Sequence, residues 1–209
     1  VTFPVRPSRP PGSKGAPERS PVVLVTRAGG AEGSRPAAAA LACAASEPER
    51  AALLIDLGEE RAARSTPIAT AGARALEERL AAHLPDAAVA SRGCFCQLTL
   101  APRPEALEIA AAASPLARES AAVVHLPPQL LRPLLAEPRI RPTAAVLRAD
   151  LPGDRALTAL AVRDLVGLGL RVAVLRRPPG LLAGRAALLG APLDPGSVIR
   201  RVWSVVNHG

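Results

Sequence analysis

Val22-Val23-Leu24-Val25-Thr26-Arg27-Ala28-Gly29-Gly30-Ala31-Glu32-Gly33-Ser34-Arg35-Pro36, continued by Ala37-Ala38-Ala39-Ala40-Leu41-Ala42, changes character twice. The opening run Val22-Val23-Leu24-Val25 is apolar without alternation, the pattern of a strand buried on both faces of a parallel sheet. Three glycines follow, and residues 36–45 then read as an alanine-rich helix, with Pro36 in the first turn where its missing N–H is tolerated. A glycine turn between a strand and a helix start presents backbone N–H groups and the positive helix end to an anion. By itself this segment reads equally as a phosphate cradle or as a tight strand-to-helix connection.

The same unit recurs along the chain. Ala52-Leu53-Leu54-Ile55-Asp56-Leu57 reads as a second buried strand, and residues 71–83 as a helix with Leu76 and Leu80 on its apolar side. Residues 94–100 read as a strand and 104–113 as a helix. Ala121-Ala122-Val123-Val124-His125-Leu126 is a further buried run that stops at Pro127-Pro128. Residues 143–147 and 170–175 are strand-like, residues 154–168 and 181–189 helical. This alternation predicts an α/β fold, a doubly wound, mainly parallel sheet with helices on both faces. Ligands of such sheets sit beyond the carboxyl ends of the strands, which directs attention to the loops after Val25, Leu57, Leu126, Leu147 and Leu175.

Residues 1–20 combine prolines with Arg6, Arg9, Lys14 and Arg19 and hold too little apolar surface to offset chain entropy, so they are expected to be a disordered Pro/Arg-rich tail. Residues 21–192 then form the single α/β domain, and residues 193–209, with Trp203, are expected to be a strand or arm packed on it. The net charge of +8 is almost wholly arginine, since Lys14 is the only lysine, so the basic balance reflects an arginine bias of the whole chain. Aromatics make up 1 % of residues, so the core must be built of Ala, Leu, Val and Ile. No uncharged apolar run reaches membrane-spanning length, because Arg171 interrupts the most apolar stretch. The first 21 residues lack the apolar centre of a secretory signal, and Cys43, Cys94 and Cys96 are few and odd in number. Both features predict a cytoplasmic protein without a disulfide framework, its cysteines serving as small buried hydrophobes. The spacing Cys94-x-Cys96 would put both thiols on one strand face.

The segment from Val22 to Ala42 resembles the deviant Walker A strand, loop and helix of the ParA/MinD family, in particular its CpaE/TadZ-like, pilus-associated branch. Gly29-Gly30 match the first glycine pair, Gly33 the third glycine and Leu41-Ala42 the helix, with one extra residue at Ala31 or Glu32. The likeness continues in order to about residue 190. Leu53-Leu54-Ile55-Asp56-Leu57 is similar to the strand whose aspartate positions water and metal shell. Val123-Val124-His125-Leu126-Pro127-Pro128 is similar to the Walker B strand, with His125 where the metal-directed carboxylate would be. Arg176 stands near the position of an adenine-contacting Asn. The resemblance implies a single P-loop NTPase-like domain.

It also implies that the catalytic parts are gone. Phosphoryl transfer works by positioning and by neutralising charge with the loop lysine and Mg²⁺. Ser34 falls at the lysine position, Arg35 and Pro36 on the Ser/Thr pair, and Ala28 on the lysine that in the family reaches a partner's nucleotide. Imidazole is a poor ligand for a hard cation. The residues that would still line a nucleotide are Arg27, Gly29, Gly30, Gly33, Ser34, Arg35, Asp56 and Arg176, with Arg27 or Arg35 as substitute cation. Asp56 reads equally as a turn cap, and His125 rather as a satisfied core or loop histidine than as a metal ligand, so no metal is assigned. No Gly-x-Ser-x-Gly elbow occurs, and the sequence offers His83, His125 and His208 no serine and acid partners, so no nucleophilic serine is expected.

These readings lead to a non-catalytic pseudo-ATPase without cofactor that binds a protein partner, with placement or assembly of a pilus or secretion machine implied by the branch it resembles. A nucleotide-binding switch for ATP or ADP through Arg27 or Arg35 stands beside it. So does non-specific DNA association through the tail and Arg200-Arg201, which scarce stacking aromatics disfavour. A homodimer through a sheet edge or helix face fits the sequence; one sandwiched around ATP does not.

Overall fold

The computed structural model describes residues 21–28, 34–58, 65–66, 68–117, 120–149, 154–176 and 196–208. In chain order its elements are β1 (Val22–Arg27), α1 (Ser34–Ala45), β2 (Leu53–Asp56), α2 (Ala71–His83), β3 (Ala88–Arg92), β4 (Phe95–Thr99) and α3 (Ala106–Ala113). A short 3-10 turn leads to β5 (Ala122–His125), and then come α4 (Leu131–Ala136), β6 (Ala144–Arg148), α5 (Asp154–Gly167), β7 (Arg171–Leu175) and α6 (Gly196–His208). The strands form one sheet in the order β3-β4-β2-β5-β1-β6-β7, parallel throughout except for β3, which runs antiparallel to β4. The expected doubly wound α/β architecture is the observed one.

Side chains of each strand alternate between two apolar layers, as the two-residue period requires. Leu24, Leu53, Ile55, Leu98, Val124, Ala145 and Leu147 face α2, α3, α4 and α5 through Leu76, Leu80, Leu107, Leu134 and Leu165. Val23, Val25, Leu54, Phe95, Val123 and Val146 face α1 and α6 through Leu41, Ile199 and Val206. The alanines Ala37, Ala38, Ala39, Ala40 and Ala42 are all buried, so α1 lies close on the sheet and presents almost no bulk to it.

Several expectations need correction. The residues around Ala88-Val89-Ala90-Ser91-Arg92 carry no strong strand pattern, yet they form edge strand β3, turned back onto β4 at Gly93. Gly93 has φ of 61°, a left-handed conformation that costs glycine little. Of the two forms expected for the C-terminal segment, a strand or an arm packed on the domain, the strand is not found: residues 196–208 are a helix whose Ile199 and Val206 pack on α1 and β7. Its apolar residues recur at helical spacing, which a short-strand reading overlooks. The helix expected over residues 181–189 and the tail of residues 1–20 lie outside the described residues.

The cysteine reading fails as well. Cys43 of α1 and Cys94 of the β3–β4 turn are joined in a disulfide, with Cα atoms 5.8 Å apart. Cys94 sits in the layer beside α1, whereas Cys96 belongs to the opposite layer, so the two thiols do not share a face. The turn at Gly93 breaks the alternation on which that expectation rested. Burial pushes the Cys96 thiol well above its ordinary value, and Glu77 adds to the shift.

Candidate functional site

Adjacent parallel strands β1 and β5 send their following connections in opposite directions. From β1 the chain runs through α1 to β2, and from β5 through α4 to β6 on the other side of β1. Such a switch point opens a crevice at the carboxyl ends of the two strands. Ser34 starts the helix after β1 and His125 ends β5, so both belong to this point.

Strand alternation then decides which side chains gather there. On β2, Leu54 faces α1, and so does Asp56 two residues on. On β5, Val123 faces α1, and so does His125. On β4, Phe95 is followed on the same face by Gln97 and Thr99. The registers place Asp56 directly beside His125 on one flank and beside Thr99 on the other.

The resulting contacts are continuous. The Ser34 hydroxyl lies 2.9 Å from Nε2 of His125, and Nδ1 of His125 lies 2.8 Å from Oδ1 of Asp56. Nε of Arg35 donates to Oδ2 of Asp56 at 2.6 Å, Gln97 Nε2 donates to the same oxygen at 3.3 Å, and the Gly58 N–H donates to Oδ1 at 3.1 Å. An ionised carboxylate only accepts, so Nδ1 carries the proton, and in the neutral ring Nε2 accepts the Ser34 hydroxyl. Asp56 is 0 % exposed, while Ser34 and His125 each retain 7 % of their surface. Burial pushes the Asp56 carboxyl up, but the His125 hydrogen bond, the electrostatic attraction of His125 and of Arg35 and the Gly58 N–H outweigh it and hold the group below its ordinary value.

Gly58 is required by closeness. A Cβ there would meet His125 Cε1 at 2.8 Å and Nδ1 at 3.2 Å. The loop after β2 thus presses bare backbone against the imidazole and fixes its plane.

Of the residues singled out in the sequence, Ser34, Arg35 and Asp56 come together. Arg27 closes β1, paired in register with Arg148, and Arg176 is exposed just past β7, away from the cluster's hydrogen bonds. Gly29, Gly30 and Gly33 lie outside the described residues. The expectation that His125 has no serine and acid partners is overturned, because Ser34 and Asp56 are those partners, 91 and 69 residues away in the chain. The turn-cap reading of Asp56 has its counterpart in the Gly58 N–H on Oδ1, an oxygen shared with His125, while Oδ2 takes Arg35 and Gln97. Gln97 was missed. Its signal is its position two residues past buried Phe95, on the face Asp56 shares.

No family model matches this chain, and no curated protein matches it in sequence.

Proposed function

We propose that the chain is a degenerate ParA/MinD-like domain that no longer turns over ATP and acts by binding a protein partner. The observation that carries this reading is the 2.6 Å ion pair between Arg35 and Asp56, closed on its other side by His125. In the family the resemblance points to, this aspartate serves the metal shell and the loop supplies free cation to phosphate. Here both Asp56 oxygens are already engaged, and Arg35, the substitute cation, is held by the chain's own carboxylate. The donor set therefore does not suit Mg²⁺, which takes oxygen ligands at close range and releases its waters reluctantly. A nucleotide would have to break a charge-assisted pair before its phosphates met Arg35.

Support for a protein partner comes from the surface. Leu157 and Leu160 of α5, three residues apart and so neighbours on the helix, are exposed, and Leu168 just beyond is 62 % exposed. Apolar side chains gathered in this way are commoner at protein contacts than on inert surface. Association with a pilus or secretion assembly in the cytoplasm belongs to this proposal through the branch resemblance alone. Among the described residues no helix is long and apolar enough to cross a membrane. Phosphate release from Mg·ATP by the purified chain tests the loss of catalysis: release at the buffer rate fits the proposal. Turnover above that rate that disappears with Asp56→Asn would refute it.

A further inference from the structure

The site that suits ATP chemistry so poorly has the parts of a different one. We propose that Ser34, His125 and Asp56 form a nucleophile, base and orienting acid that react with the acyl group of carboxylic esters at the carboxyl end of β1. The inference goes beyond the loss of ATP turnover and does not rest on it, because it concerns which atoms touch which and not what the loop once held.

Three observations point the same way. The contacts run in the required order, from hydroxyl to Nε2 and from Nδ1 to carboxylate, and both distances are under 3 Å. The acid lies deepest, at 0 % exposure, with the Ser34 and His125 residues, each 7 % exposed, nearer the surface. Asp56 is in turn fixed by Arg35, Gln97 and the Gly58 N–H, so the base is oriented by a group that is itself held in place.

The reaction balances without any outside oxidant or reductant. Ser34 Oγ attacks the ester carbonyl carbon as its proton passes to His125 Nε2. The tetrahedral oxyanion collapses, the carbon–oxygen bond to the alcohol breaks, and the alcohol leaves with the proton from Nε2. Water then attacks the acyl-serine, giving its proton to Nε2, and the acid departs as Ser34 recovers the proton. Asp56 stays ionised and keeps the Nδ1 proton in place throughout.

The test uses the full chain with a fluorophosphonate probe and with p-nitrophenyl acetate. Peptide mass spectrometry should find the phosphonyl adduct on Ser34, and Ser34→Ala should abolish it. His125→Gln should slow labelling by about 100-fold or more, the usual scale for removing a general base. Both labelling and ester cleavage should rise with pH along a single titration that Asp56→Asn displaces, a readout that a merely structural network would not give. Folded wild-type protein that acquires no adduct on Ser34, or acquires it at the same rate in His125→Gln, would overturn the proposal. Should His125→Gln not fold, Ser34→Ala decides, since ester cleavage that survives it places the activity elsewhere. Nucleotide titration and serine labelling read different properties, so either proposal can fail without the other.

Discussion

Asp56 and His125 are register partners on adjacent strands, and their side chains meet on the face that α1 covers, with Nδ1 2.8 Å from Oδ1. One carboxylate thereby holds an imidazole on one oxygen and a guanidinium on the other, and its full burial makes both partners depend on it. Asp56→Ala would leave the buried His125 ring N–H without its acceptor and remove the carboxylate from the Arg35 ion pair. Loss of one partner from a buried charged pair typically costs about 3–5 kcal/mol. Urea unfolding should show a loss of that size, and a change below about 1 kcal/mol would mean that the network contributes little.

Acid should act through the same carboxylate. Its folded-state pKa lies below the ordinary carboxylate value, so the unfolded chain takes up the proton first. The stabilisation is fully present above about pH 4 and is lost as pH falls through the lower folded value. Thermal unfolding of the wild type between pH 5 and pH 2 should therefore lose more stability than that of Asp56→Asn. Parallel curves would contradict the assignment.

Gly58→Ala tests the closeness of the loop to the ring. Its Cβ would need the space of His125 Cε1, 2.8 Å away, and the ring is held on both nitrogens. Overpacking of this kind costs about 1–3 kcal/mol. Combined with His125→Ala, which vacates that space, the glycine substitution should cost markedly less than alone, a coupling that a double-mutant cycle measures.

The disulfide gives a separate test. It joins residues 51 apart, and closing a loop of that length in the unfolded chain is worth about 4 kcal/mol in the chain-entropy account. Cys43→Ser should lower stability in that direction. Iodoacetamide should leave Cys96 unmodified in the native chain, whose thiol is buried and held protonated, while after reduction Cys43 and Cys94 react first.

Much of this architecture is legible in the sequence because apolar continuity and alternation are local. Val22-Val23-Leu24-Val25, Leu53-Leu54-Ile55 and Val123-Val124 each declare a buried strand, and the helix over residues 71–83 has the bounds that its periodicity predicts. What the sequence hid was pairing. Edge strand β3 mixes Ala, Ser and Arg and is defined by its hydrogen bonds to β4, not by its own composition. Ser34, Asp56 and His125 are separated by 22 and 69 residues, and only the strand order β2-β5-β1 makes them neighbours. The same holds for Cys43 and Cys94, brought together by a helix and a hairpin turn. Asp56 and His125 were both visible as polar ends of apolar strands, and an even offset from Leu54 and Val123 puts both on the α1 face. That parity was the available signal.

In the proposed reading, Arg35, Asp56 and His125 engage one another where the loop after β1 would otherwise meet a nucleotide. Calorimetric titration of the full chain with ATP and with ADP, each with and without Mg²⁺, tests it most directly. The account predicts no binding heat at millimolar nucleotide, in the wild type and in Arg35→Ala alike. Binding that strengthens with Mg²⁺ and weakens in Arg35→Ala would contradict it, since the arginine would then belong to the nucleotide and not to Asp56.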